Sequence, residues 1–200
     1  MRSVNISKPV TGQNRLINVL KEPLRMLELS VADLNEVFRE AKISSLAGRL
    51  AADADTLGLA NQLPLKVQNL FKSYRYGSAS SERMIKWEMN RVRRALRFGD
   101  EKVILLKGAA YIVAATNNAK GRLCSDIDLL VKEDGLAISE TALLNNFWYH
   151  KTITDYDDKY YREYAHEIPP LYHLTRGTVL DLHHNLFLPI SGKAPPLEQF

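Results

Sequence analysis

Asp126 and Asp128 stand one residue apart at the head of the apolar run Ile127, Leu129, Leu130 and Val131. In a β-strand alternate side chains share a face, so the two carboxylates project together, with Cα atoms roughly 6.5–7 Å apart. Ile127 and Leu129 take the other face. Two like charges side by side repel, and burying either is costly unless a cation lies between them. Magnesium answers that need: it takes hard oxygen ligands, commonly one or two protein carboxylates together with substrate phosphates and water. The same alternation sets Asp181 of "TVLDLHHNL" opposite Leu180 and Leu182, on one face with Val179 and His183. If its strand pairs beside "DIDLLV", Asp126, Asp128 and Asp181 together can hold two ions about 3.5–4 Å apart, the arrangement that stabilises attacking and leaving oxygens in phosphoryl or nucleotidyl transfer.

Phosphate contacts are available upstream. Gly108 follows the strand "KVILL" directly and opens a helix, where backbone N–H groups can meet a phosphate. Lys107 and Arg122 can neutralise a triphosphate. Each signal has a plainer reading: an isolated pair of alternating aspartates often marks a solvated strand end, Gly108 a simple tight turn, and a lone cation a solvated surface. Their combination carries the weight. His166, His173, His183 and His184 cluster late in the chain. Most read as packing or surface residues; His183 reads as a hydrogen-bonding neighbour beside Asp181, with metal ligation there as the alternative. His166 with Glu167 lacks the second histidine four residues on that a zinc-binding helix needs, so zinc is not expected.

The elements that must position these residues follow from the period of the apolar positions. From about Val31 to Phe98 they recur at three and four, as in Leu34, Val37, Phe38 and Ala41, which predicts amphipathic helices. Ser30 with Asp33 resembles a capping box and starts one of them. Gly58, Pro64 and the run "YGSAS" at 76 to 80 read as breaks between helices, and Gly99 as a stop. Ile85, Met89, Val92 and Leu96 form an apolar stripe; Lys86, Asn90, Arg93 and Arg97 lie on another face, with Arg94 beside them. Beyond residue 100 strands and helices alternate: "KVILL", then the Ala-rich helix, then "DIDLLV", then a helix from about Gly135 to Asn146 and a strand from Trp148. "PLYHL" and "TVLDLHHNL" form a strand pair turning at Arg176-Gly177, and "DYDDKYYREY" reads as a solvated loop or hairpin. The fold class is α+β: a helical region over 1–99, a small mixed-sheet core with flanking helices over 100–188, and a tail over 189–200. The first twenty residues and the tail have no usable period and read as loose.

Bulk properties exclude little but exclude it clearly. The 200 residues are 46% hydrophobic and 25% charged, a globular composition with enough apolar surface for a core. No apolar run is long enough to span a membrane, and the N-terminus lacks the layout of an export signal, so a cytoplasmic protein without a membrane partner is expected. The single cysteine, Cys124, forms no internal disulfide and fits a reducing compartment. A formal charge of +4 favours anionic ligands without establishing nucleic-acid binding.

The strand, Gly-containing turn, helix, "DIDLLV" and a later single-Asp strand resemble the polymerase-β-like nucleotidyltransferase fold. "LLKGAAY", "RLCSDIDLLV", the His166 segment before "PPLYHL", and "VLDLHHNL" are similar to a little-characterised bacterial group of nucleotidyltransferase family proteins. The helical leader, with "NQLP" and Glu82 to Arg97, fits that group too, so the resemblance spans roughly residues 20 to 188. It implies that Asp126 and Asp128 bind two magnesium ions with a nucleoside triphosphate. Asp181 would be the third ligand and a base for an acceptor hydroxyl attacking the α-phosphate, with pyrophosphate leaving. Gly108 would approach the triphosphate. Here Lys107-Gly108-Ala109 stands where the fold has Gly-Ser or Gly-Gly, so Lys107 is expected to replace the missing serine contact electrostatically. The spacing from Gly108 to Asp126 is also longer than usual. Relatives run on with more helical sequence after the Asp181 strand, which points to a short variant or a fragment. The nucleotide and the acceptor are left open. The alternative is a non-catalytic nucleotidyltransferase-like module that binds a nucleotide or partner protein; nucleic-acid binding through Arg93, Arg94 and Arg97 is not favoured.

Overall fold

The computed structural model describes residues 15–97 and 102–192. Of the first twenty residues, expected to be loose, those up to 14 lie outside the described residues, as do the helix stop at Gly99 and the tail beyond 192; residues 15–20 are instead helical, because Leu16 and Val19 bury on one face. The chain divides into two compact units, one made of Met1–Ala79 with Lys120–Leu123, the other of Ser80–Ala119 with Cys124–Phe200.

In the first unit, α1 (Arg15–Lys21), α2 (Val31–Ile43), α3 (Ala47–Thr56) and the first part of α4 (Leu65–Ala95) are packed around one core. The Ser30 hydroxyl caps α2, accepting from the Asp33 N–H at 3.2 Å and donating to the Asp33 carboxylate at 2.8 Å. Leu34, Val37, Phe38 and Ala41 then fall on one face, as their spacing predicts, and bury against Leu50, Ala51 and Ala54 of α3. Phe71 of α4 meets Phe38 edge-on, ring centroids 5.2 Å apart. Gly121 sits against α3 so closely that a β-carbon on Gly48 would lie 2.0 Å from the Gly121 carbonyl oxygen, and Gly121 itself has φ +73. Only glycine fits either place.

The run "YGSAS" does not break a helix: α4 continues unbroken for 31 residues. Glycine in a helix interior costs only about 1 kcal/mol relative to alanine, less than the burial of Phe71 before it and Ile85 and Val92 after it contributes. Gly58, with φ +67 just past α3, and Pro64, just before α4, are true boundaries. No helix among the described residues is long and apolar enough to cross a membrane.

The second unit carries a five-stranded mixed sheet in the order β1 (Ile104–Leu105), β2 (Asp126–Leu130), β5 (Val179–His183), β4 (Leu171–His173), β3 (Trp148–His150). Only β2 and β5 run parallel; the other neighbours are antiparallel. With α5 (Lys107–Val113), α6 (Leu136–Leu144) and α7 (Asp155–Glu163) the class is α+β, a helical N-terminal region followed by a small mixed sheet with flanking helices. Ile127, Leu129, Leu180, Leu182 and Leu171 bury with Ile85 and Val92 of α4 and Leu143 of α6. Glu88 of α4, 1% exposed, is gripped by the Arg176 guanidinium from the β4–β5 turn at 2.5–3.0 Å and approached by the Thr178 hydroxyl at 3.4 Å.

"DYDDKYYREY" is largely a helix rather than a loop or hairpin. Thr154 accepts from the Asp157 N–H, Asp155, Asp157 and Asp158 occupy the first turn, and Arg162 closes the last turn against Asp158. These charge and capping terms hold a segment with no apolar period. Arg162 also forks onto Glu140 of α6, whose carboxyl is held at about 2 by hydrogen bonds from His150 and Arg162.

Candidate active site

Strand β2 begins at Asp126, and its neighbour β5 runs alongside in register: Asp126 opposite Val179, Asp128 opposite Asp181, Leu130 opposite His183. Strands so paired lie about 4.8 Å apart and turn in-register side chains to the same face. Asp128 and Asp181 are therefore immediate neighbours, with Asp126 two residues along on that face. Ile127, Leu129, Leu180 and Leu182 bury on the other side, so the aspartates cannot turn over without exposing the core. Ser125 donates its hydroxyl to Asp126 at 3.1 Å.

Lys107 arrives at Asp128 by backbone construction. The Leu106 N–H donates to the Asp128 carbonyl at 2.9 Å, carrying the β1–β2 ladder past the end of β1. The next residue, Lys107, takes φ +44, a left-handed conformation costing about 1 kcal/mol for a residue with a β-carbon. Its ammonium then donates to Asp128 Oδ1 at 2.5 Å. Gly108 is buried and Ala109 is 0% exposed, packed into the core, so the expected ligand contact at Ala109 is closed off. Arg122 belongs to the first unit, the sheet residues to the second.

The carboxylates differ sharply in electrostatics. Burial pushes Asp128 up, but hydrogen bonds from His183 and Lys107 outweigh it and hold the carboxyl below its ordinary value. Lys107 is raised: its partial burial is outweighed by Asp128, Glu167 and Asp181. Asp181 is pushed up to about 6, first by burial, then by the charges of Glu167, Asp128 and Asp126. Its Oδ1 is buried without a hydrogen-bond partner. A hard divalent cation is the complement such a group of carboxylates fits: it would relieve the repulsion at Asp181 and satisfy the orphaned oxygen.

Glu167, which the sequence marks only as the neighbour of His166, joins this face. It forms an isolated antiparallel bridge with His183 at the end of β5, flanked by the Ile168 N–H donating to Leu182 and the His184 N–H donating to His166. His183, 1% exposed, has Nε2 3.1 Å from Asp128 Oδ1 and 3.3 Å from Glu167 Oε2. His166 Nε2 lies 3.7 Å from the same Glu167 oxygen, and burial lowers the pKa of His166. The single-residue bridge explains why the pattern hid Glu167: no alternating run surrounds it. The signal available was its position one residue before Ile168 and Pro169, in an extended segment leading into β4.

The basic face of α4 lies elsewhere. Arg93, Arg94 and Arg97 line a groove of about 890 Å³ together with Leu105 and Leu129. Leu129 points away from the aspartate face, so this groove is not the place where the carboxylates meet.

The mixed sheet thus presents acidic side chains from two adjacent parallel strands, with a strand–helix turn delivering a lysine to one of them. The family model for uncharacterised nucleotidyltransferases matches residues 30–199, and the chain belongs to that family. No curated protein and no solved structure matches it.

Proposed function

We propose that the protein is a magnesium-dependent nucleotidyltransferase that moves a nucleoside monophosphate from a nucleoside triphosphate to an acceptor hydroxyl, releasing pyrophosphate. The observation that carries this reading is the register of Asp128 against Asp181 with Asp126 on the same face. Asp126 and Asp128 hold magnesium with the triphosphate, and Asp181 completes the ligand set. Bound magnesium supplies neutralising charge to the phosphates and to the developing pyrophosphate. Lys107, whose side chain is 58% exposed, swings from Asp128 to a phosphate oxygen, a short move for a flexible stem. The backbone at Gly108 approaches the triphosphate. Asp181 takes the proton of the acceptor hydroxyl.

The alternative, a module that binds without turnover, draws on the same Lys107–Asp128 contact: a lysine already neutralises the carboxylate a metal would need. Calorimetry with magnesium and each nucleoside triphosphate, paired with a pyrophosphate-release assay, separates the two readings. Saturable binding that disappears in the Asp126→Asn, Asp128→Asn double variant, with pyrophosphate release in the presence of an acceptor, supports the enzyme. Binding with no release against any acceptor favours the module, and absence of binding removes both.

A further inference from the structure

We propose that His166, Glu167 and His183 form a binding site for a divalent transition-metal ion, zinc above all, adjoining the aspartates but distinct from them in donor chemistry. Glu167 Oε2 faces two imidazole nitrogens, His183 Nε2 at 3.3 Å and His166 Nε2 at 3.7 Å. One ligand atom from each residue falls within 4.8 Å of the others. Zinc with bonds of about 2.0–2.1 Å in tetrahedral array holds its ligands ~3.3 Å from one another, so small side-chain adjustments close the set around an ion. The 3.7 Å separation is too long for a hydrogen bond, so in the ion-free arrangement His166 gains little from its approach to Glu167.

The scaffold is rigid where it matters. Glu167 and His183 are bridge partners, and ladder hydrogen bonds of 3.0 and 2.9 Å on either side fix the backbone of all three residues. Nδ1 of both rings is buried without a hydrogen-bond partner, so nothing on that side holds the proton on one nitrogen; at His183 the Nε2 proton shared with Asp128 must move to Nδ1 or leave before Nε2 can take a metal. Two imidazoles and one carboxylate are the donor set of zinc sites that keep a fourth position open; imidazole is a poor match for magnesium. The carboxylate Oδ1 of Asp128, 3.1 Å from His183 Nε2, lies within reach of that fourth position. A coordinated Nε2 has no proton to donate, so metal binding here breaks the His183–Asp128 hydrogen bond and changes the partner set of Asp128.

The test is a chelator-competed zinc titration of the untagged full chain in excess magnesium without nucleotide, with cobalt(II) absorption as the report on coordination. Stoichiometric binding of one zinc, a four-coordinate cobalt spectrum, loss of both in His183→Ala and Glu167→Gln, and retention in Asp126→Asn are expected. Glu167→Gln carries the result should His183→Ala not fold, since the Glu167 side chain is 23% exposed and the change is isosteric. No stoichiometric zinc in the folded wild type, or binding that survives both substitutions, overturns the site. Magnesium–triphosphate binding is scored on the same preparation, so zinc binding without it leaves this site standing while sinking the nucleotidyl-transfer reading.

Discussion

Asp128 and Asp181 are register partners across the parallel β2–β5 pair, side by side on one face of the sheet. Neither can withdraw, because the residues flanking them, Ile127, Leu129, Leu180 and Leu182, are each 0% exposed on the other side. The fold thus enforces a charge conflict that a bound cation would resolve.

Asp128→Asn keeps the shape and removes the charge. We expect magnesium–triphosphate binding to fall by ~100-fold or more, with the far-ultraviolet circular dichroism unchanged. Wild-type affinity in this variant, measured by calorimetry, would remove Asp128 from the ligand set.

The pH response of Asp181 has a definite sign. A carboxyl held at about 6 in the folded chain, against 3.8 ordinarily, favours folding while protonated; that contribution is complete below 3.8 and lost as pH rises through 6. In metal-free buffer Asp181→Asn should therefore melt higher than wild type near pH 8, with the gap closing towards pH 4. Equal gaps at both pH values would show that Asp181 is not electrostatically strained.

At Lys107 backbone and charge can be separated. With φ +44, Lys107→Gly relieves the left-handed penalty whereas Lys107→Ala retains it. The glycine variant should be the more stable by about 1 kcal/mol in chemical denaturation. Both should bind triphosphate more weakly than wild type. An alanine variant as stable as the glycine variant contradicts the backbone assignment.

The Glu88–Arg176 pair allows a cycle. Arg176→Leu leaves a carboxylate that is 1% exposed without its cation and should cost about 3–5 kcal/mol. Adding Glu88→Met removes the stranded charge, so the double variant should recover part of that loss. A double variant less stable than Arg176→Leu alone would place the pair's value in the attraction itself.

Much of this was legible in the residues because alternation and period are local. The "DIDLLV" strand, the pair turning at Arg176-Gly177 and the face shared by Asp126 and Asp128 all follow from a two-residue repeat. The Ser30 cap follows from one side chain. What was not legible is non-local or non-apolar. Helix α7 is held by caps and ion pairs, and α4 runs through Gly77 because distant burial outweighs a small propensity cost. Glu167 comes to His183 through a single bridge, which no pattern within its own segment encodes, and the two histidines beside it lie seventeen residues apart in sequence.

The contact between Gly48 and Gly121 has a practical meaning for dissecting the chain. On its way from α5 to β2 the polypeptide detours, lodging Lys120–Leu123 against α3 before Asp126 opens the strand. A fragment beginning at Ser80 would keep every sheet residue yet lose the seat of that detour, leaving the approach to its acidic strand untethered. The leading helices are thus a mooring for the loop that launches β2.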